Sequence, residues 1–351
     1  MILLVIFSKK SYQLSIINYH FLNMSQLNYI YTLFISNLLI SLPFLLLGIV
    51  VSSGLLVFID EHQLVAKLPR TRILAVIIGS SLGFLLPLGQ YGNLPIVRRL
   101  LLQGLPIPLC ISFLIASPTV NPFVISNSWE VLGDHPRLVF LRILGAWLIA
   151  IIVGLIFSAY PEKSVIINES SSVLQSRSTL VHSGTILAPS EEFQPFHRAG
   201  NLIYEYQGNI RTSGNIWQQL SLFVENIIKE FIELGSILTV GVAISTTCQF
   251  FLPQAQLFQW GENPLNQILI MIVFGLLLSL NSLGSAYFLT PVLSSVLYGS
   301  AFVFLLLNSL FNISSLILLL GIIRIKFASY IFILTAQLIL VLGLVLNFYI
   351  S

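Results

Sequence analysis

The residues able to engage a solute lie where this chain cannot continue a helix. The run Pro87-Leu88-Gly89-Gln90-Tyr91-Gly92-Asn93-Leu94-Pro95 holds two prolines and two glycines in nine residues. Proline removes a backbone donor and glycine weakens a helix interior. The polar members Gln90, Tyr91 and Asn93 are framed there by Pro87, Gly92 and Pro95. A second run, Ala116-Ser117-Pro118-Thr119-Val120-Asn121-Pro122, offers Pro118, Thr119, Asn121 and Pro122. Two later runs, Asn281-Ser282-Leu283-Gly284-Ser285 and Asn308-Ser309-Leu310-Phe311-Asn312, offer Asn281, Ser282, Ser285, Asn308 and Asn312. Carboxamides and hydroxyls donate and accept, and broken helices leave backbone N–H and C=O groups unpaired. Such a set suits the coordination of a small molecule or ion. The other reading treats the prolines as kinks and the asparagines as ties between helices.

The elements that must position these residues are membrane helices. Sixteen Lys+Arg and thirteen Asp+Glu make up 8% of 351 residues, against about 25% in soluble domains. Hydrophobic residues reach 56% and the mean hydropathy is +0.94. A soluble enzyme, a disordered chain and a basic nucleic-acid-binding domain are excluded, so no nucleic-acid partner is expected. Uncharged stretches cover 11–59, 73–97, 100–129, 143–161, 234–261, 263–323 and 327–351, and a crossing needs about 20 apolar residues. The alternation of a membrane barrel is missing. The expected fold is an all-α integral membrane protein of about eight to ten helical segments, some broken or re-entrant. Cys110 and Cys248 lie inside apolar runs, which argues against a disulfide framework.

Residues 160–216 are the one long polar stretch, with five glutamates and four Lys/Arg. They read as a solvated cytoplasmic connector between a first membrane unit, 24–159, and a second, 217–351. Residues 1–23 read as an uncertain extension, with Met1 or Met24 as the start. After the connector, Trp217, Leu220, Phe223, Ile227, Ile228 and Phe231 recur at helical spacing, with Gln218, Glu225, Lys229 and Glu230 opposite. The pattern predicts an interfacial helix leading into the span 234–252.

The two units resemble each other. Leu33–Leu39 matches Leu222–Ile228, Gly83–Leu88 matches Gly275–Leu280, and Phe113–Ile115 matches Phe304–Leu306, with Asn121 falling on Asn312. Matches in order at offsets of 189 to 192 suggest a duplication. Lys67/Arg70/Arg72 and Arg98/Arg99 mark one side in the first unit, and Arg324/Lys326 the opposite loop in the second. Basic loops face the cytoplasm, so the units are expected to be inverted repeats, with Glu130 and Glu262 outside. Lys9/Lys10 then fall on the wrong side unless Met24 is the start.

Arg98 and Arg99 read either as a gating pair or as a topology anchor that snorkels to the interface. Gly79-Ser80-Ser81-Leu82-Gly83 fits a nucleophile pattern, but also a Gly-x-x-x-Gly packing face, and all five histidines lie outside the confident spans. No motif calls for a metal or a cofactor, and an enzyme is not expected. No Asp or Glu falls inside the confident spans, which argues against a carboxylate proton relay.

The run Leu86–Pro95, followed by Gly104-Leu105-Pro106 and then Phe113–Pro122, resembles the signature of a family of predicted permeases that includes the organoarsenical efflux permeases. Pro87, Gly92, Pro95, Pro118, Asn121 and Pro122 are the matching positions. Many relatives carry two turn cysteines where this chain reads Leu88-Gly89-Gln90-Tyr91-Gly92, so thiolate chemistry does not carry over. The resemblance implies a secondary-type permease or efflux protein of the cytoplasmic membrane, with the lipid bilayer and a small solute as partners and a homo-oligomer left open. Two alternatives stand beside it: a non-transporting membrane assembly or structural protein, and an intramembrane enzyme.

Overall fold

Long apolar runs satisfy their own backbone as helices, because hydrocarbon offers no partner for N–H or C=O. In the computed structural model, residues 24–59, 71–159, 216–251 and 263–349 are described. They form α1 (Met24–Phe58), α2 (Arg72–Leu82), α3 (Gly89–Leu102), α4 (Ile107–Ala116), α5 (Pro122–Val131) and α6 (Pro136–Phe157). The second unit contributes α7 (Ile216–Phe251), α8 (Pro264–Leu277), α9 (Gly284–Leu289), a 3₁₀ turn (Thr290–Ser295), α10 (Tyr298–Phe311), α11 (Ile313–Ile322) and α12 (Ile325–Tyr349). No strand occurs among the described residues, and the protein is an all-α membrane protein. The breaks divide the chain into twelve α-helices there, more segments than the sequence predicts.

Four helical stretches are long and apolar enough to cross a bilayer, the third of them interrupted at Asn312: Gln26–Phe58, Pro136–Phe157, Tyr298–Ile322 and Ile325–Tyr349. α2, α4 and α8 are apolar but short. Their lengths of 10 to 14 residues span about 15–21 Å, against about 30 Å of hydrocarbon. The outer surface is apolar, as lipid requires. On α6, Phe140, Leu144, Leu148 and Ile152 are exposed, while Val139, Arg142, Ala146 and Val153 on the other face are buried.

Within the first unit α2 lies against α4 and α6, and α4 against α6; within the second α8 lies against α10 and α12, and α10 against α12. Between the units α3 meets α11 and α5 meets α9, while α1 packs along α7. Bundle association in lipid depends on close approach more than on hydrophobicity. At the crossing of α1 and α3, a Cβ on Gly48 would run into the backbone of Gly92. Gly89 begins α3 at φ +60°, a conformation that favours glycine.

Several expectations change. Pro95 does not break the chain, because it lies inside α3; the interruption is narrower, from Gly83 to Leu88. Asn308 and Ser309 belong to the last turns of α10, and only Asn312 stands at that break. The interfacial helix and its following span are one 36-residue helix, α7. Glu230 faces the bundle with Asn226, not the polar side with Glu225 and Lys229. The expected extension 1–23, the connector other than Ile216, and Lys67, Arg70 and Glu262 lie outside the described residues.

Candidate functional site

Three asparagines shape the interruptions. Asn121 precedes α5 and accepts from Val124 N–H at 3.0 Å. Asn281 accepts from Gly284 N–H at 2.6 Å as α9 begins. Asn312 precedes α11 and accepts from Ser315 N–H at 2.9 Å. Each satisfies an amide that a helix N-terminus leaves orphaned, worth about 1 kcal/mol. Two of their Nδ2 groups reach break carbonyls: Asn121 donates to Ser117 C=O at 2.8 Å at the other end of its own break, and Asn312 to Leu280 C=O at 3.0 Å in the break between α8 and α9. Asn308 donates to Leu278 C=O at 2.6 Å and Gly275 C=O at 3.2 Å, closing the end of α8. Asn93 does the same for Leu114 C=O at 3.0 Å. These side chains therefore act as ties between helices, one of the two roles their sequence allows.

The breaks also converge. One small recess is lined by Gly89, Gln90, Tyr91, Asn121, Asn281 and Ser282 with their apolar neighbours. A second, on the other side of Gln90, is lined by Gln90, Asn93, Leu114, Phe311 and Ser315. Both are tight, with room for about one water-sized occupant. Tyr91 crosses between the units: its hydroxyl accepts from Asn312 Nδ2 at 3.4 Å and lies beside Ser41, Ser279 and Ser314.

Seven of the fifteen buried side-chain polar atoms that have no partner among the described residues lie in or beside these breaks. Gln90 is 3% exposed, and neither its Oε1 nor its Nε2 is bonded. Asn93 Oδ1, Ser117 Oγ, Thr119 Oγ1, Ser282 Oγ and Asn308 Oδ1 are also unpartnered. An unmet buried polar group costs about 1–3 kcal/mol, so each of these groups in or beside the breaks is costly for the fold. Pro118 lies in the same turn as Thr119, and Pro122 occupies the first position of α5, where its missing N–H is harmless. Ser285 is drawn away from the recesses, toward Arg142.

Arg142 is the residue the sequence reading missed. It is fully buried on α6 and binds the first unit to the second. Nη1 donates to Ser128 Oγ at 2.8 Å; Nη2 donates to Ser282 C=O at 2.6 Å, Ser309 Oγ at 3.0 Å and Ser285 Oγ at 3.2 Å. Only neutral oxygens meet its Nη1 and Nη2, its Nε has no hydrogen-bond partner, and its contact with Ser282 fixes the backbone of a break that lines a recess. The signal was present: Arg142 falls on the small-residue face of α6 with Gly145, Ala146, Ile149 and Val153.

A family model described as "Predicted permease" matches residues 26–348. The chain belongs to this predicted permease family. Among relatives, this permease is 27% identical over 296 residues to the Bacillus subtilis protein "UPF0718 protein YcgR", covering 84% of this chain and 89% of that one. It is 26% identical over 295 residues to a Streptococcus mutans protein whose name proposes it as a subunit of a two-component membrane permease complex, covering 84% and 87%. No solved structure matches significantly. The chain is a multi-pass membrane permease, and its environment is the lipid bilayer. The Gly79/Gly83 pair fits packing: a Cβ on Gly79 would meet the Leu109 backbone, and Ser80 donates to Ile77 C=O within its own helix.

In this permease Arg98 and Arg99 both reach α7. Arg98 pairs with Glu233 at 2.9 Å near the bundle surface. Arg99 is 7% exposed and meets Glu230 at 3.9 Å, inside the bundle. Around Glu230 stand Ser52 Oγ, at 3.4 and 3.3 Å from the two carboxylate oxygens, and Asn226 Nδ2 at 3.5 Å. Asn226 also donates to Ser53 Oγ at 2.8 Å. Glu230 is therefore a buried carboxylate that the search for uncharged spans passed over. Asn226, Glu230, Leu234 and Leu238 form the buried stripe of α7, which sets the phase of the helix.

Proposed function

We propose that this permease is a secondary-type transporter of the cytoplasmic membrane that moves a small solute through the meeting point of its broken helices. The observation that carries this reading is Gln90. Its carboxamide is buried and unbonded between two recesses lined by residues from three of the breaks. A fold that only needed stability would bury an apolar residue there. Gln90, Tyr91, Asn121, Asn281 and Ser282 would contact the solute, with Asn93, Asn308 and Asn312 holding the breaks in shape. The tightness of the recesses fits a closed state, in which the solute waits for helices to part.

The two units are read as inverted repeats, 24–159 and 217–351, with a cytoplasmic connector. Support comes from the reciprocal pairings across the units, α3 with α11 and α5 with α9, and from the shared capping role of Asn121 and Asn312. Transport sites at the junction of such repeats are common among secondary transporters. A second subunit, as one relative's name proposes for that protein, is compatible with this reading.

The test is flux into proteoliposomes holding only this chain, across metalloids, organic anions and small neutral solutes. Saturable flux of one class, lost in Gln90→Leu, supports the reading. Empty-vesicle rates for every class would refute it.

A further inference from the structure

We propose that Glu230 is a proton-binding site whose occupancy controls the contact between α3 and α7 and couples this permease to a proton gradient. The coupling rests on the transport reading above; the proton site does not.

Glu230 is 5% exposed and Arg99 7%, where α3 and α7, which both pack along α1, are joined by their ion pairs. Burying a carboxylate in a helix bundle is costly, and short charge-assisted bonds offset that cost in a permanent ion pair. Arg98 and Glu233 form such a bond at 2.9 Å. Glu230 does not: its nearest guanidinium nitrogen is 3.9 Å away, and its hydroxyl and amide neighbours stand at 3.3 to 3.5 Å. Arg99 Nε has no partner. A buried carboxylate held this loosely is free to change its charge.

The neighbours suit both forms. Ser52 Oγ donates to the ionised carboxylate and accepts from the protonated acid. The charged groups facing Glu230 are Arg98 and Arg99 from α3 and Glu233 from α7 itself. α1 supplies hydroxyls there, and α8 and α11, which also pack on α7, contain no titratable residue. On protonation one O–H bond forms on a Glu230 oxygen with a proton from water. The guanidinium keeps its own protons, so the four charges go from balanced to a net positive one. Arg99 loses its counter-charge, and the α3–α7 contact weakens. Release of the proton to water reverses each change. Arg99 and Gln90 lie on the same helix, nine residues or about 14 Å apart, so a shift of α3 at this seam reaches the solute recess.

Infrared difference spectra of the full chain in lipid nanodiscs, taken between about pH 9 and about pH 5, test the site without any solute. The expected result is a carboxylic-acid carbonyl band in the wild type that vanishes in Glu230→Gln and persists in Glu233→Gln. Ser52→Ala, which keeps the acid, shifts the same band by removing its hydrogen bond, and it serves if Glu230→Gln does not fold. Bands unchanged in both Glu230→Gln and Ser52→Ala would overturn the proposal. Proteoliposomes loaded with a pH-sensitive dye then test coupling, using as probe whichever solute the wild type moves. Solute-dependent pH change in the wild type, with uncoupled flux in Glu230→Gln, is expected; equal proton movement in both overturns the coupling. Absence of wild-type flux for all solutes refutes the transport reading and leaves the infrared result standing.

Discussion

The carboxamides of Asn121 and Asn312 cap two helices in the same way: each accepts the N–H three residues ahead, from Val124 and Ser315, while Asn121 donates to Ser117 C=O across its own break and Asn312 to Leu280 C=O in the break between α8 and α9. Replacing either by alanine removes a cap and leaves a buried carbonyl unmet. Each variant is expected to unfold about 1–3 kcal/mol earlier than the wild type. Thermal unfolding in detergent measures it, and unchanged stability in both would count against the capping role.

Gln90 is expected to show the opposite balance. Gln90→Leu removes two unmet polar atoms, so it should raise stability by about 1–3 kcal/mol while abolishing flux. A Gln90→Leu protein that is less stable and transports normally would end the case for a central site.

Arg142 carries a buried charge that only neutral oxygens meet, with its Nε left without a partner. Arg142→Met removes the cost of burying it, so the variant is expected to keep its fold. It also frees Ser282 C=O from its clamp, and flux is expected to fall at least about tenfold, equivalent to about 1.4 kcal/mol in the barrier. Comparing thermal unfolding with vesicle flux separates the two effects.

The crossing of α1 and α3 leaves no room for a side chain. Gly48→Val places a branched group against the Gly92 backbone, and a loss of at least about 1–3 kcal/mol is expected. The yield of monodisperse protein is the readout, with Gly104→Ala as the comparison, since a Cβ there meets nothing within 4 Å. The φ of +75° at Gly104 keeps that control from being wholly silent.

Inverted units predict opposite exposure of two described loops. With Cys110 and Cys248 replaced by alanine, Glu130→Cys should react with an impermeant thiol reagent from outside and Ile325→Cys from inside. Reaction of both from one face would end the inverted arrangement.

The breaks were legible because proline, glycine and asparagine punctuate a Leu-rich chain, and two of the asparagines, Asn121 and Asn312, are helix N-caps. The membrane class was legible from charge alone. Pro95 was misread as a breaker: a membrane helix tolerates proline when its neighbours resatisfy the backbone. Arg142 and Glu230 escaped for a common reason. A scan for uncharged spans treats every charge as a boundary, whereas depth depends on which face of the helix it occupies. Helical phase would have recovered both, since Arg142 shares a face with Gly145 and Ala146, and Glu230 with Asn226 and Leu234.

Pro95 has a mechanical consequence. Without an N–H at that position, the Tyr91 carbonyl one turn earlier receives no intrahelical bond from it. Bending α3 there has one backbone bond fewer to strain. A displacement of the two arginines at the rim of the bundle therefore changes the angle at which Gln90 and Tyr91 are presented at its centre, which makes this short rod a rocker arm.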